Sequence, residues 1–188
     1  MSLKHYDEAI AIATTAGKKS KQNLNYQYDL GLANFKKNDS IQGDKIWMRA
    51  IDNALENMGK THELVQIFQL NKNWNYLEKI LRTAIDKKYN PEVYSTMLMD
   101  VLLGLKKYPE VVPLLMNKIE KDEVGFMNTI LRIQNYTEEL ELMSLVQKRV
   151  YSEYVKNQNS EKWTQIAMWL SQVTKDYEEA LHIAMAYD

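Results

Sequence analysis

The side chains that could do chemistry in this sequence are few and scattered. Its three histidines stand at His5, His62 and His182. None falls in H-E-x-x-H or a comparable spacing that would set two metal ligands on one helix face. There is no cysteine, which excludes disulfides, thiolate nucleophiles and thiolate metal sites. Gly17-Lys18-Lys19-Ser20 shares letters with a phosphate-binding loop. That loop needs an earlier glycine where Ile12 stands, and Ser or Thr where Lys19 stands. Acidic pairs occur at Asp7-Glu8, Glu138-Glu139 and Glu178-Glu179. They fall at expected helix starts, where negative charge favours the helix dipole. Neighbouring residues also point in different directions on a helix, so these pairs are poorly arranged for acid–base work. The reading is of a binding protein rather than an enzyme, with no catalytic residue, no metal site and no cofactor.

Composition narrows what positions the remaining residues. Apolar residues make up 45% of the chain, too many for a disordered segment. Six glycines and three prolines are too few for the many turns of a sandwich or barrel. The net charge of −1 lacks the excess of Lys and Arg that a nucleic-acid partner demands. Lysine pairs at positions 18–19, 36–37, 87–88 and 106–107 fit helix C-termini, where a cation is favoured. No stretch approaches the roughly 18 apolar residues of a membrane span, so no membrane insertion is expected. The N-terminal residues lack the apolar core of a signal peptide. A soluble chain is expected; its compartment stays undecided, with the cytoplasm as the default.

A repeat organises the whole sequence. KHYDEAIAIA from Lys4, KNWNYLEKIL from Lys72, KKYPEVVPLL from Lys106 and KDYEEALHIA from Lys175 are related segments. Tyr6 to Trp74 is 68 residues, and Trp74 to Tyr108 is 34. Leu30, Leu64 and Leu98 keep the same step of 34, with Ile166 a further 68 on. Ala16, Ala50 and Ala84 share it, and so do Trp47, Leu81 and Leu115. The segments read as helices: Trp163, Ile166, Ala167 and Leu170 recur at i, i+3, i+4 and i+7 behind a Ser160 cap. Asn90 and Pro91 suit an N-cap and a first helical position. Breaks near 38–42, 57–59, 70–73, 89–91, 106–109, 120–122, 157–160 and 174–176 predict about eleven helices of 10–20 residues. The short connections make neighbours antiparallel.

On these residues the chain resembles the tetratricopeptide family, whose 34-residue unit is a helix pair with W-x2-L-G-x2-Y and later A-x3-F. Leu30-Gly31 fits the L-G pair, Gly43 and Trp47 fit A-x3-F, and Ala50 fits the next small position. Leu64, Val65, Phe68, Leu77, Leu81 and Ala84 fill the same places in the following unit, and Trp163-x2-Ile166-Ala167-x2-Leu170 matches the first helix again. Asn34 stands where an aromatic is usual and Lys118 where a small residue is usual. Arg132, Arg149 and Ser152 depart from the pattern in the unit from 126 to 159, whose second helix, 136 to 157, is unusually long. The resemblance implies an all-α superhelix, or solenoid, of antiparallel helix pairs in one domain spanning 1–188. The domain divides into a half repeat 1–23 and repeats at about 24–57, 58–91, 92–125, 126–159 and 160–188. Both ends fall on second helices without a polar cap, so the chain reads as a piece of a longer protein.

The resemblance also implies a partner: another protein or peptide held in a concave groove lined by first helices. Its groove positions carry over to Asn25, Tyr28, Leu32 and Phe35, then His62, Gln66 and Gln69. Thr96, Asp100 and Leu103 follow, and Thr164, Met168 and Ser171 come last. This mostly uncharged set suits an extended peptide or a partner helix. Tyr28 and Leu32 replace the Lys and Asn of the family's clamp for acidic chaperone tails, so that partner is not expected. Exposed ends of the stack leave self-association open. Trp47, Trp74 and Trp163 read as packing, as do most of the ten Met residues. The competing readings are a structural spacer, or a regulatory or substrate-positioning segment of a larger protein.

Overall fold

The computed structural model describes residues 3–19, 23–122, 124–157 and 159–187. Among them it contains eleven α-helices and no strand. In order they are α1 (Leu3–Lys19), α2 (Leu24–Lys36), α3 (Ser40–Ala54), α4 (Met58–Leu70), α5 (Trp74–Asp86) and α6 (Pro91–Gly104). Then come α7 (Tyr108–Lys121), α8 (Phe126–Leu131), α9 (Leu140–Lys156), α10 (Glu161–Val173) and α11 (Tyr177–Tyr187), with a 3-10 turn Gln134–Tyr136 between α8 and α9. The chain divides into two compact units, 1–101 and 102–188. In the first, α1 packs on α2, α2 on α3 and α4, α3 on α4, and α4 on α5. In the second, α7 packs on α8 and α9, α9 on α10, and α10 on α8 and α11. The fold is therefore all-α, with helices set against their sequence neighbours.

Local chemistry starts the helices. The side chains of Asn23, Asp39, Asn57 and Ser160 accept hydrogen bonds from backbone N–H groups in the first turns of α2, α3, α4 and α10. These satisfy donors that have no partner within the helix. Pro91 opens α6, where its missing N–H costs nothing. Asn90 before it has φ 42°, in the left-handed region.

One turn is used repeatedly to end a helix and start the next. Asn38, Lys72, Lys106 and Lys175 all have positive φ, and the first three are 34 apart. At each, the following N–H reaches back five residues: Asp39 to Asn34, Asn73 to Phe68, Lys107 to Leu102 and Asp176 to Ser171, at 2.8–3.0 Å. These are Schellman closures in which Lys or Asn takes the place usual for glycine. The related segments from Lys72, Lys106 and Lys175 are this turn plus the helix after it, while the one from Lys4 lies within α1. Bonds between successive repeats, each within one compact unit, keep the interval: Tyr76 to Asp44, Lys87 to Glu56, Tyr89 to the Leu55 carbonyl and Lys106 to Glu139 span 31 to 34 residues.

Register positions form the core. Ala13, Trp47, Leu81, Leu115 and Ile183 are buried, and so are Leu64, Leu98, Ile166, Ala50 and Ala84. Leu30 is half-buried. The side chains of Ala16 and Ala186, and those from Gly17 to Ser20, lie outside the described residues. In the first unit Trp47 stacks on Tyr28, with centroids 5.0 Å apart, and meets Phe35, Phe68 and Tyr76. Its Nε1 donates to the Tyr28 carbonyl at 2.9 Å. Gly31 and Gly43 make this possible, because a Cβ on Gly31 would overlap the indole and one on Gly43 would lie 2.7 Å from the Phe35 ring.

The unit from 126 to 159 differs from the expected helix lengths. α8 has six residues rather than ten or more, and α9 begins at Leu140 rather than 136. Past α8 the backbone bonds shorten to i→i−3, Ile133 to Ile130, Tyr136 to Ile133 and Glu139 to Tyr136. Ile130 and Ile133 are both fully buried, and a three-residue spacing on one face is what a 3-10 turn supplies.

Candidate interaction surface

The best-defined polar surface of the first unit is on α4. Its start is locked by Thr61, a fully buried residue whose hydroxyl donates to the Ala54 and Asn57 carbonyls. Leu64, Val65, Ile67 and Phe68 are buried below. On the opposite side His62, Gln66 and Gln69 are exposed, and the Gln66 amide lies 3.1 Å from His62 Nε2. Three uncharged polar side chains are thus carried on a helix whose other face is packed. On α2, Asn25 is exposed while Leu32 and Phe35 are half-buried. On α6, Asp100 is exposed and Thr96 is half-buried, its hydroxyl donating to the Glu92 carbonyl at 3.0 Å.

Four expected groove residues lie elsewhere. Tyr28 is buried between Trp47 and Phe68, and its hydroxyl accepts a hydrogen bond from the Asn73 amide. It belongs to the core, because α3 and α4 close over the side of α2 that a groove would need open. Leu103, Thr164 and Ser171 are buried as well. Ser171 Oγ donates to the Ala167 carbonyl at 3.0 Å and lies 2.8 Å from the Tyr151 hydroxyl, so it links α10 to α9. Met168 is half-buried. The second unit therefore offers little of the expected surface, and the first offers Asn25, His62, Gln66, Gln69 and Asp100.

Two features were not read from the sequence as sites. A cavity of about 400 Å³ in the second unit is lined by Val112, Pro113, Met116, Asn117, Glu120 and Arg149. Its sequence signal is Arg149, which stands where the repeat wants an apolar residue and pairs with Glu153 at 3.1 Å. The other is an ion pair at a repeat turn. Lys106 Nζ meets both Glu139 oxygens, at 2.9 and 3.2 Å, and this holds the Glu139 carboxyl below its ordinary range. Among the described residues no three His, Asp or Glu side chains gather as metal ligands would, and no helix is long and apolar enough to cross a membrane.

Fold and surface together define an all-α helical-repeat chain whose first unit exposes a row of polar side chains, His62, Gln66 and Gln69, on α4. No protein-family model matches the sequence, and no curated protein is significantly similar to it.

Proposed function

We propose that this chain is a tetratricopeptide-like interaction module that holds an extended peptide or a partner helix against the first unit. The exposed row His62, Gln66 and Gln69 on α4 carries this reading. Amide and imidazole groups exchange hydrogen bonds with a peptide backbone without the desolvation cost of full charges. They are also borne by a helix fixed on a packed aromatic core, which lowers the ordering cost of binding. Asn25 and Asp100 are further contacts of the same unit. A structural spacer is the second reading, and the exposed apolar side of α11 supports it.

A photo-crosslinking side chain at Gln66 tests the first reading, with one at Asn75 on α5 as control; both positions are exposed. Capture from Gln66, weakened when His62 and Gln69 are replaced by Ala, is the expected result. Capture from Asn75 alone would move binding to the second helices and overturn it.

A further inference from the structure

The repeat provides an internal standard for what covers each helix. Counting from the lysine of each turn (Lys106, and Lys175, which stands one residue off the 34-residue step), the second, sixth and tenth following residues are Tyr108, Val112 and Met116 on α7. On α11 they are Tyr177, Leu181 and Met185. On α7 these side chains are 2%, 8% and 3% exposed, beneath a helix against which α8 and α9 pack. On α11 they are 68%, 58% and 70% exposed. They stand at i, i+4 and i+8, one continuous apolar stripe. The opposite face of α11 is satisfied, since Ile183 is buried and the helix packs on α10. One seam of the repeat is therefore open.

Helix α1 indicates the occupant, because its sequence is the nearest to that of α11. The equivalents of Tyr177 and Leu181, Tyr6 and Ile10, are half-buried, the third position, Thr14, is exposed, and the helix packed on α1 is α2. Lys37 at the end of α2 pairs with Asp7 at 2.6 Å. Glu178, exposed, occupies the place of Asp7 on α11. We infer that α11 docks an amphipathic helix of the α2 kind, with an apolar stripe over Tyr177, Leu181 and Met185 and a basic residue at its C-terminal end facing Glu178. This surface is separate from the polar face of α4, and the inference stands whether or not that face binds a peptide.

The probe is a side-chain-stapled helical peptide with the sequence of residues 23–37, titrated into the full chain by fluorescence anisotropy. It should bind, and Leu181→Glu should weaken it at least about tenfold by setting a carboxylate in an apolar seam. Position 181 is exposed, so the melting temperature should hold. Glu178→Lys should weaken the peptide too, and Lys37→Glu in the peptide should restore it; this charge exchange decides the matter if Leu181→Glu fails to fold. Equal affinity for wild type and Leu181→Glu would overturn the inference, since the peptide would then sit elsewhere, for instance on α1. A dimer by sedimentation that Leu181→Glu dissociates and the peptide does not compete with would also overturn it, making a second copy the occupant.

Discussion

Gly31→Ala should be among the most damaging single-methyl changes in the first unit. The added Cβ would overlap Cδ1 and Nε1 of Trp47 and lie 3.0 Å from Cε2. The indole has little room to retreat. It stacks on Tyr28, meets Phe35, Phe68 and Tyr76, and holds the Tyr28 carbonyl at 2.9 Å. Overpacking of a filled core costs about 1–3 kcal/mol, and the fixed ring puts this case near the top of that range. Displacing Nε1 forfeits a buried hydrogen bond worth about 1 kcal/mol. Ala is favoured over Gly in a helix interior by about 1 kcal/mol, which offsets that loss. The net expectation is a destabilisation of about 3 kcal/mol. Gly104→Ala is the control, because its Cβ would meet nothing within 4 Å; that variant should be neutral or slightly stabilised. Urea unfolding followed by circular dichroism measures both. A Gly31→Ala protein as stable as wild type would refute the packing argument, and with it the claim that Gly31 exists to seat Trp47.

Lys72 has φ 55°, a conformation that costs a side-chain-bearing residue about 1 kcal/mol. Lys72→Gly should therefore raise stability by about 0.5–1 kcal/mol in the same assay, less than the full cost because glycine also loosens the unfolded chain. Tyr76 is desolvated and donates to Asp44 at 2.8 Å, which moves its phenol from 10.0 up to about 12. The neutral form is the one the fold favours, so this contribution is complete below pH 10 and is lost as pH rises from about 10 through about 12. Tyr76→Phe should flatten that alkaline decline, and tyrosinate absorbance should show one late-titrating phenol missing from the variant.

The helices and their limits were legible in the sequence because the forces that set them are local. Ser160 caps α10 and Pro91 opens α6 through contacts within four residues, and the breaks follow from turns of the same few residues. The step of 34 was legible too, since every unit solves the same packing problem, and Trp47, Leu81 and Leu115 are buried in one register. Which side of each helix meets water was decided only in three dimensions. Tyr28, Thr164 and Ser171 stand at positions a lone helix pair would leave open, yet all three are buried. Tyr108 and Tyr177 follow the same kind of turn, and one is covered while the other is not. Burial depends on what the rest of the chain brings against a face, and a periodic pattern records the face without recording its neighbour. The shortened α8 was not legible either: past Leu131 the backbone bonds tighten to i→i−3 while Ile130 and Ile133 are both buried, and no local signal in the sequence marks that change.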